Sequence, residues 1–107
     1  MTKLEDLKRD KEGYLLNSEQ WSEQVARAIA DDEDLDLNED HWQVIHYVRN
    51  FYEEFNTSPS IRPLVKYLQQ EWSKEKGNSI YLALLFPEGP AKQATKIAGL
   101  PKPARCI

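Results

Sequence analysis

The chain carries one cysteine, Cys106, and places it next to the last residue, beside Arg105 and near Lys102. As a thiolate this sulfur is a nucleophile; the two cations favour that form, while the terminal carboxylate of Ile107 opposes it. Pro101 and Pro103 forbid a helix there, so the sulfur is expected on an extended, solvent-facing tail. Free cysteines more often behave as small buried hydrophobes. A nucleophile on a mobile arm can visit several partners' active sites, yet it lacks the fixed general base of a complete active site. That is the logic of a carrier. From the residues alone, a carrier thiol and an incidental terminal cysteine are equal readings.

Other chemistry is thin. One cysteine supports neither a disulfide scaffold nor a thiolate metal cage. His41 and His46 are five residues apart rather than the four that bring two imidazoles to one metal on a helix. They read as structural histidines, and no metal or cofactor is expected. The charge is unevenly spread. Residues 1–88 hold 10 bases and 18 acids, whereas residues 89–107 hold Lys92, Lys96, Lys102 and Arg105 and no acid. Those four cations are expected to steer the tail toward acidic surfaces on partner proteins, although cations late in a helix also favour its dipole. The acidic body argues against phosphate-driven nucleic-acid binding. A helix-turn-helix across residues 56–60, with Arg62, Lys66 and Gln69 on the reading helix, stands as a nucleic-acid alternative.

The elements that must position the tail follow from periodicity. A length of 107 residues supports one small domain, 1–107, with 100–107 as the arm. Asp10–Gly13 is turn chemistry, and a small N-terminal β-hairpin is expected around it. Asn17 or Ser18 caps a helix with Trp21, Val25, Ala28 and Ile29 on one face. The acidic run from Asp31 to Asp36 reads as a solvated loop. Asn38 opens a second helix running to about Phe55, and Ser60 a third that takes Pro63 in its first turn. Asn78 caps a short apolar turn, Ile80 to Phe86, expected to be buried on most sides. The last helix, Ala91 to about Ala98, has a small-residue face and a basic one, and Gly99 followed by Leu100 and Pro101 is a C-cap signature. No apolar run of 18 residues exists and the N-terminal stretch is charged, so a cytoplasmic chain without a membrane segment is expected.

EGYL at 12–15, QWSE at 20–23, HWQVIHYVRNFYEEFNTSPSIRPLVK at 41–66, EKGNSIYL at 75–82 and LFPEGPAKQATKIAGLPKPARCI at 85–107 resemble the DsrC/TusE family of sulfur-carrier proteins over nearly the whole chain. The resemblance implies an α+β, mainly helical fold: a single small domain with an N-terminal β-hairpin and a flexible C-terminal tail carrying the cysteine. It implies that Cys106 carries a persulfide and acts as a sulfurtransferase in a relay toward 2-thiouridine at the tRNA wobble position. The partners implied are a TusBCD-like sulfur donor complex and an MnmA-like tRNA thiouridylase. Family members tied to dissimilatory sulfite reductase carry a second cysteine in the last helix, where this chain has Thr95. A hydroxyl cannot close that bridge, which disfavours a gamma-subunit-like role with such a reductase and points to transfer without redox cycling.

Overall fold

Asn38 is followed by two acids, and the start of the longest helix is built from this choice. The Asn38 side-chain oxygen accepts the His41 N–H at 3.1 Å, and His41 Nδ1 accepts the Asn38 N–H at 3.0 Å, closing a reciprocal cap. Glu39 and Asp40 add negative charge to the first turn, where the helix dipole favours it. In the computed structural model, which describes residues 7–72 and 77–101, this is α2 of five helices. The others are α1 (Glu23–Asp32), α3 (Ile61–Glu71), α4 (Ser79–Leu85) and α5 (Pro90–Ile97), with α2 spanning Glu39–Phe55. Ser22 caps α1 through its hydroxyl, five residues after Asn17 and four after Ser18, because Asn17 instead caps a separate 3-10 turn, Ser18–Gln20.

The expected β-hairpin is not present, and the fold is helical with no strand among the described residues. What stands in its place is a single antiparallel bridge between Arg9 and Leu15. The turn signal is real: Asp10 Oδ1 accepts the N–H groups of Glu12 and Tyr14, both at 2.9 Å. Pairing ends after one rung because Leu15 goes into the core and the chain turns at Asn17 into the 3-10 segment. The expected flexible tail with its cysteine lies, from residue 102 on, outside the described residues.

Helix α5 occupies the centre and packs against each of the other four helices. Its small residues make this possible, since Ala91, Ala94 and Ala98 are buried and let neighbouring backbones approach closely. Val25 and Ile29 of α1, Val44, Ile45 and Val48 of α2, and Leu64 and Leu68 of α3 complete the core around Ile97 and Leu100. At about 25 cal/mol per Å² of apolar surface, burying each such aliphatic side chain contributes about 1.5–3 kcal/mol. Helix α4 departs from expectation. It buries Leu82 and Leu85 with Phe86 just beyond, while Ile80 and Leu84 stay 75% and 72% exposed. A two-turn helix docked on one side can bury only one face, however apolar the other.

Candidate functional site

The residues that lead into the cysteine-bearing segment are the end of α5, and this end is unusually well held. Gly99 lies in the left-handed region at φ 72°, its N–H donates to Lys96 O at 3.0 Å, and the Leu100 N–H donates to Thr95 O at 3.2 Å. This paired closure is a Schellman motif, with Leu100 buried as its hydrophobic contact. Glycine is required here on two counts. The positive φ penalises any other residue, and a Cβ would fall 2.4 Å from Trp21 Cδ1.

Two further carbonyls at this end have no helical successor, and both are taken by side chains from elsewhere. Trp21 Nε1–H donates to Ile97 O at 2.8 Å, and Arg49 Nη1 donates to Ala98 O at 2.6 Å. The Arg49 guanidinium stacks 4.3 Å from the centre of the Trp21 ring, which adds a cation–π attraction. Burial pushes the Arg49 guanidinium below its ordinary value, and Glu53 partly restores it; an arginine nonetheless keeps its charge. Among the described residues it forms no ion pair. Its charge faces the carbonyl end of α5, where the helix dipole is negative.

The other face of α5 is tied to the end of α1. Lys96 Nζ meets Glu33 Oε2 at 3.1 Å with both side chains about four-fifths buried. Gln93 donates to the other oxygen of the same carboxylate at 3.1 Å, while its own oxygen accepts the Glu88 N–H at 3.2 Å. Lys96 also lies 5.4 Å from the centre of the Tyr14 ring. Burial, then the nearby Glu12, Asp10 and Glu33, pushes the Tyr14 hydroxyl above its ordinary value. Glu33, in the run expected to be a solvated loop, is therefore the anchor of a buried polar network.

The residues singled out from the sequence divide accordingly. Cys106, Lys102 and Arg105 lie outside the described residues. Lys92 and Lys96 both stand on α5, but Lys96 is engaged by Glu33 and only Lys92 remains half-exposed without an ion pair among the described residues. Thr95 is fully buried, and its hydroxyl finds no hydrogen-bond partner among the described residues. His41 is a structural histidine, as expected: with Nδ1 accepting the cap, Nε2 carries the proton and donates to Leu85 O at 2.7 Å. His46 stacks on Trp42 with ring centres 5.9 Å apart. Sequence reasoning missed Arg49 and Glu33, and read Trp21 only as a core or interface residue. Each acts on a group dozens of positions away, which periodicity does not report.

Taken together, the arrangement fixes the backbone through Leu100 in one direction, and among the described residues no group of His, Cys, Asp or Glu could hold a metal ion. The family described as DsrC like protein matches residues 2–107. The Sulfurtransferase TusE homolog of Haemophilus influenzae is 60% identical over 102 residues, covering 95% of this chain and 94% of its own. The Sulfurtransferase TusE of Escherichia coli is 59% identical over the same length and shares. Among solved structures, the DsrC of Allochromatium vinosum aligns with a TM-score of 0.84 and 48% identity, over 94% of this chain and 90% of that one. The oxidized gamma-subunit of the dissimilatory sulfite reductase from Archaeoglobus fulgidus aligns with a TM-score of 0.85 and 40% identity, over 94% and 92%.

Proposed function

The chain belongs to the DsrC-like protein family, and from that premise we propose that Cys106 is the atom on which it carries sulfur. It is a sulfurtransferase of the relay type, as its 59–60% identity to the TusE proteins supports. In loading, the Cys106 thiolate attacks the outer sulfur of a donor persulfide. A new S–S bond forms, the donor's S–S bond breaks, and the donor leaves as a thiolate, so no external oxidant or reductant is consumed. Unloading is the same displacement with the chain as donor. The observation that carries this reading is the combination of that similarity with a single cysteine in the sequence, so that no second thiol competes for the role.

In this reading the donor is a TusBCD-like complex and the acceptor an MnmA-like thiouridylase, with the sulfur bound for 2-thiouridine at the wobble position of tRNA in the cytoplasm. No helix among the described residues is long and apolar enough to cross a membrane. Lys92, Lys102 and Arg105 bring the arm to acidic entrances on these partners, with Lys96 contributing mainly through its pairing to Glu33. A gamma-subunit role like that named for the Archaeoglobus fulgidus relative is the second reading. The threonine at position 95, where the two-cysteine members carry their second thiol, weighs against it. Incubation with a cysteine desulfurase, free cysteine and the intermediate carriers tests the proposal. Intact-mass spectrometry should show one added sulfur on the wild type and none on Cys106→Ser. Sulfur on the serine variant, or none on the wild type where a known carrier is loaded, refutes it.

A further inference from the structure

The surface formed by α3 and α4 is unlike the rest of this acidic protein. Residues 56–70 and 77–87 contain no aspartate or glutamate, and Glu71 at the end of α3 is the one acid on the two helices. Arg62 and Lys66 are exposed on α3, and among the described residues neither makes an ion pair. Beside them an open cleft of about 320 Å³ is lined by Ile61, Arg62, Val65, Lys66, Gln69 and Ser79. Ile80 and Leu84, one turn apart on the outer side of α4, are the two most exposed large apolar side chains described. The cleft reaches Ser79, the residue before Ile80, so exposed apolar side chains begin one residue from a cleft edged by two cations, a combination that recognition surfaces use.

We propose that the α3–α4 face docks the protein that donates sulfur, through an acidic amphipathic segment of that donor. Its apolar side chains cover Ile80 and Leu84, and its carboxylates meet Arg62 and Lys66. The inference rests on the relay reading above and names where on the body the donor sits. Charge complementarity favours the donor over the acceptor: an enzyme that works on tRNA gives much of its surface to cations that neutralise phosphates, which leaves less acidic surface, beyond the entrance the arm uses, to meet Arg62 and Lys66. Two cations beside an apolar ridge are also few for nucleic acid, which draws its affinity from many phosphate contacts. The arrangement separates two tasks. The body face supplies the encounter and the affinity, and the arm delivers the sulfur.

The test is loading of the full chain by its purified donor complex, followed by mass spectrometry across donor concentrations and with the wild type alongside. Arg62→Glu/Lys66→Glu and Ile80→Ser/Leu84→Ser should each raise the half-saturating donor concentration on the order of tenfold, the loss expected for central interface positions. The saturated loading rate, the alkylation rate of Cys106 by iodoacetamide and the thermal melting midpoint should not move. If a double variant loses its cooperative melt, Leu84→Ser alone takes its place. Unchanged half-saturation in both variants overturns the proposal. It is equally overturned if loading is normal and only unloading to the acceptor slows, if the apolar variant abolishes a self-association seen by sedimentation, or if the charge variant instead abolishes a tRNA gel shift. Failure of the relay reading itself shows elsewhere, as absence of loading in the wild type, and takes this inference with it.

Discussion

The end of α5 and the outer side of α3 and α4 sit on the same small body and are built on opposite terms. At the end of α5, the carbonyls of Thr95, Lys96, Ile97 and Ala98 all have donors, two of them side chains brought from α2 and from the segment before α1. On the α3–α4 side, two cations carry no ion pair among the described residues and two large aliphatic side chains face water. Interactions left unmade in the isolated protein remain available to a partner, whereas interactions already made fix the chain's own geometry. The first region is thus specified for direction and the second for encounter. A carrier needs both, because it must meet its partners repeatedly and still present its sulfur in a reproducible way.

The contrast can be broken most forcefully at Gly99. Replacement by valine imposes an unfavourable positive φ and drives a side chain into Trp21, and should cost about 3 kcal/mol. Urea denaturation should show a lower midpoint and sulfur transfer should fall even where the protein remains folded. Arg49→Met comes next. It keeps much of the packing on Trp21 but leaves the Ala98 carbonyl without its charged donor, a loss of about 1.5–3 kcal/mol by the same denaturation experiment. Arg49→Lys should recover part of this, since one charged donor can still reach the carbonyl while the stacked planar fork is lost.

Smaller effects sharpen the comparison from both sides. Thr95→Val removes the one buried side-chain polar atom found without a partner among the described residues and conserves shape, so it should be neutral or stabilising by up to about 1 kcal/mol in the same melts. A destabilisation beyond that would show that the hydroxyl has a partner in the folded protein. Leu84→Ser should change stability least, within about 0.5 kcal/mol, because its side chain is largely in water already. If it instead proved costly, α4 would belong with the specified region and the division drawn here would fail.

The parts of this molecule that were legible in its sequence are those decided locally. Asn38 with its two following acids marks the start of α2, Gly99 marks the end of α5, and the left-handed position after a helix is legible because glycine is nearly alone in tolerating it. The hairpin was inferred from a turn that does exist, but one turn does not specify how many rungs follow it, and Leu15 leaves for the core after the first. Seven residues are too few to reveal a face, so the apolar run from Ile80 reads as buried on most sides. The clamp itself was illegible for a different reason. Trp21 and Ile97 are 76 positions apart, and Arg49 and Ala98 are 49 apart, so only the assembled fold brings each donor to its carbonyl. Cys106 stands out in the sequence because its residue type, neighbours and place in the chain are local facts.

The clamp on Ile97 and Ala98 also sets an origin from which distance can be measured. With the backbone held through Leu100, the five steps from Pro101 to Cys106 span at most about 18 Å even at full extension. If Cys106 carries the sulfur as proposed, this radius, lengthened only by the cysteine side chain and the S–S bond it forms, limits every partner: a donor or acceptor whose reactive atom lies well beyond it below the surface against which Pro101 rests is out of range, whatever its affinity for the body. Within the radius, docking turns transfer into a reaction between tethered groups, at an effective concentration of about the millimolar range for so short a link. The leash length thus acts as a gauge, admitting partners by the depth of their reactive sulfur as well as by the shape of their surface.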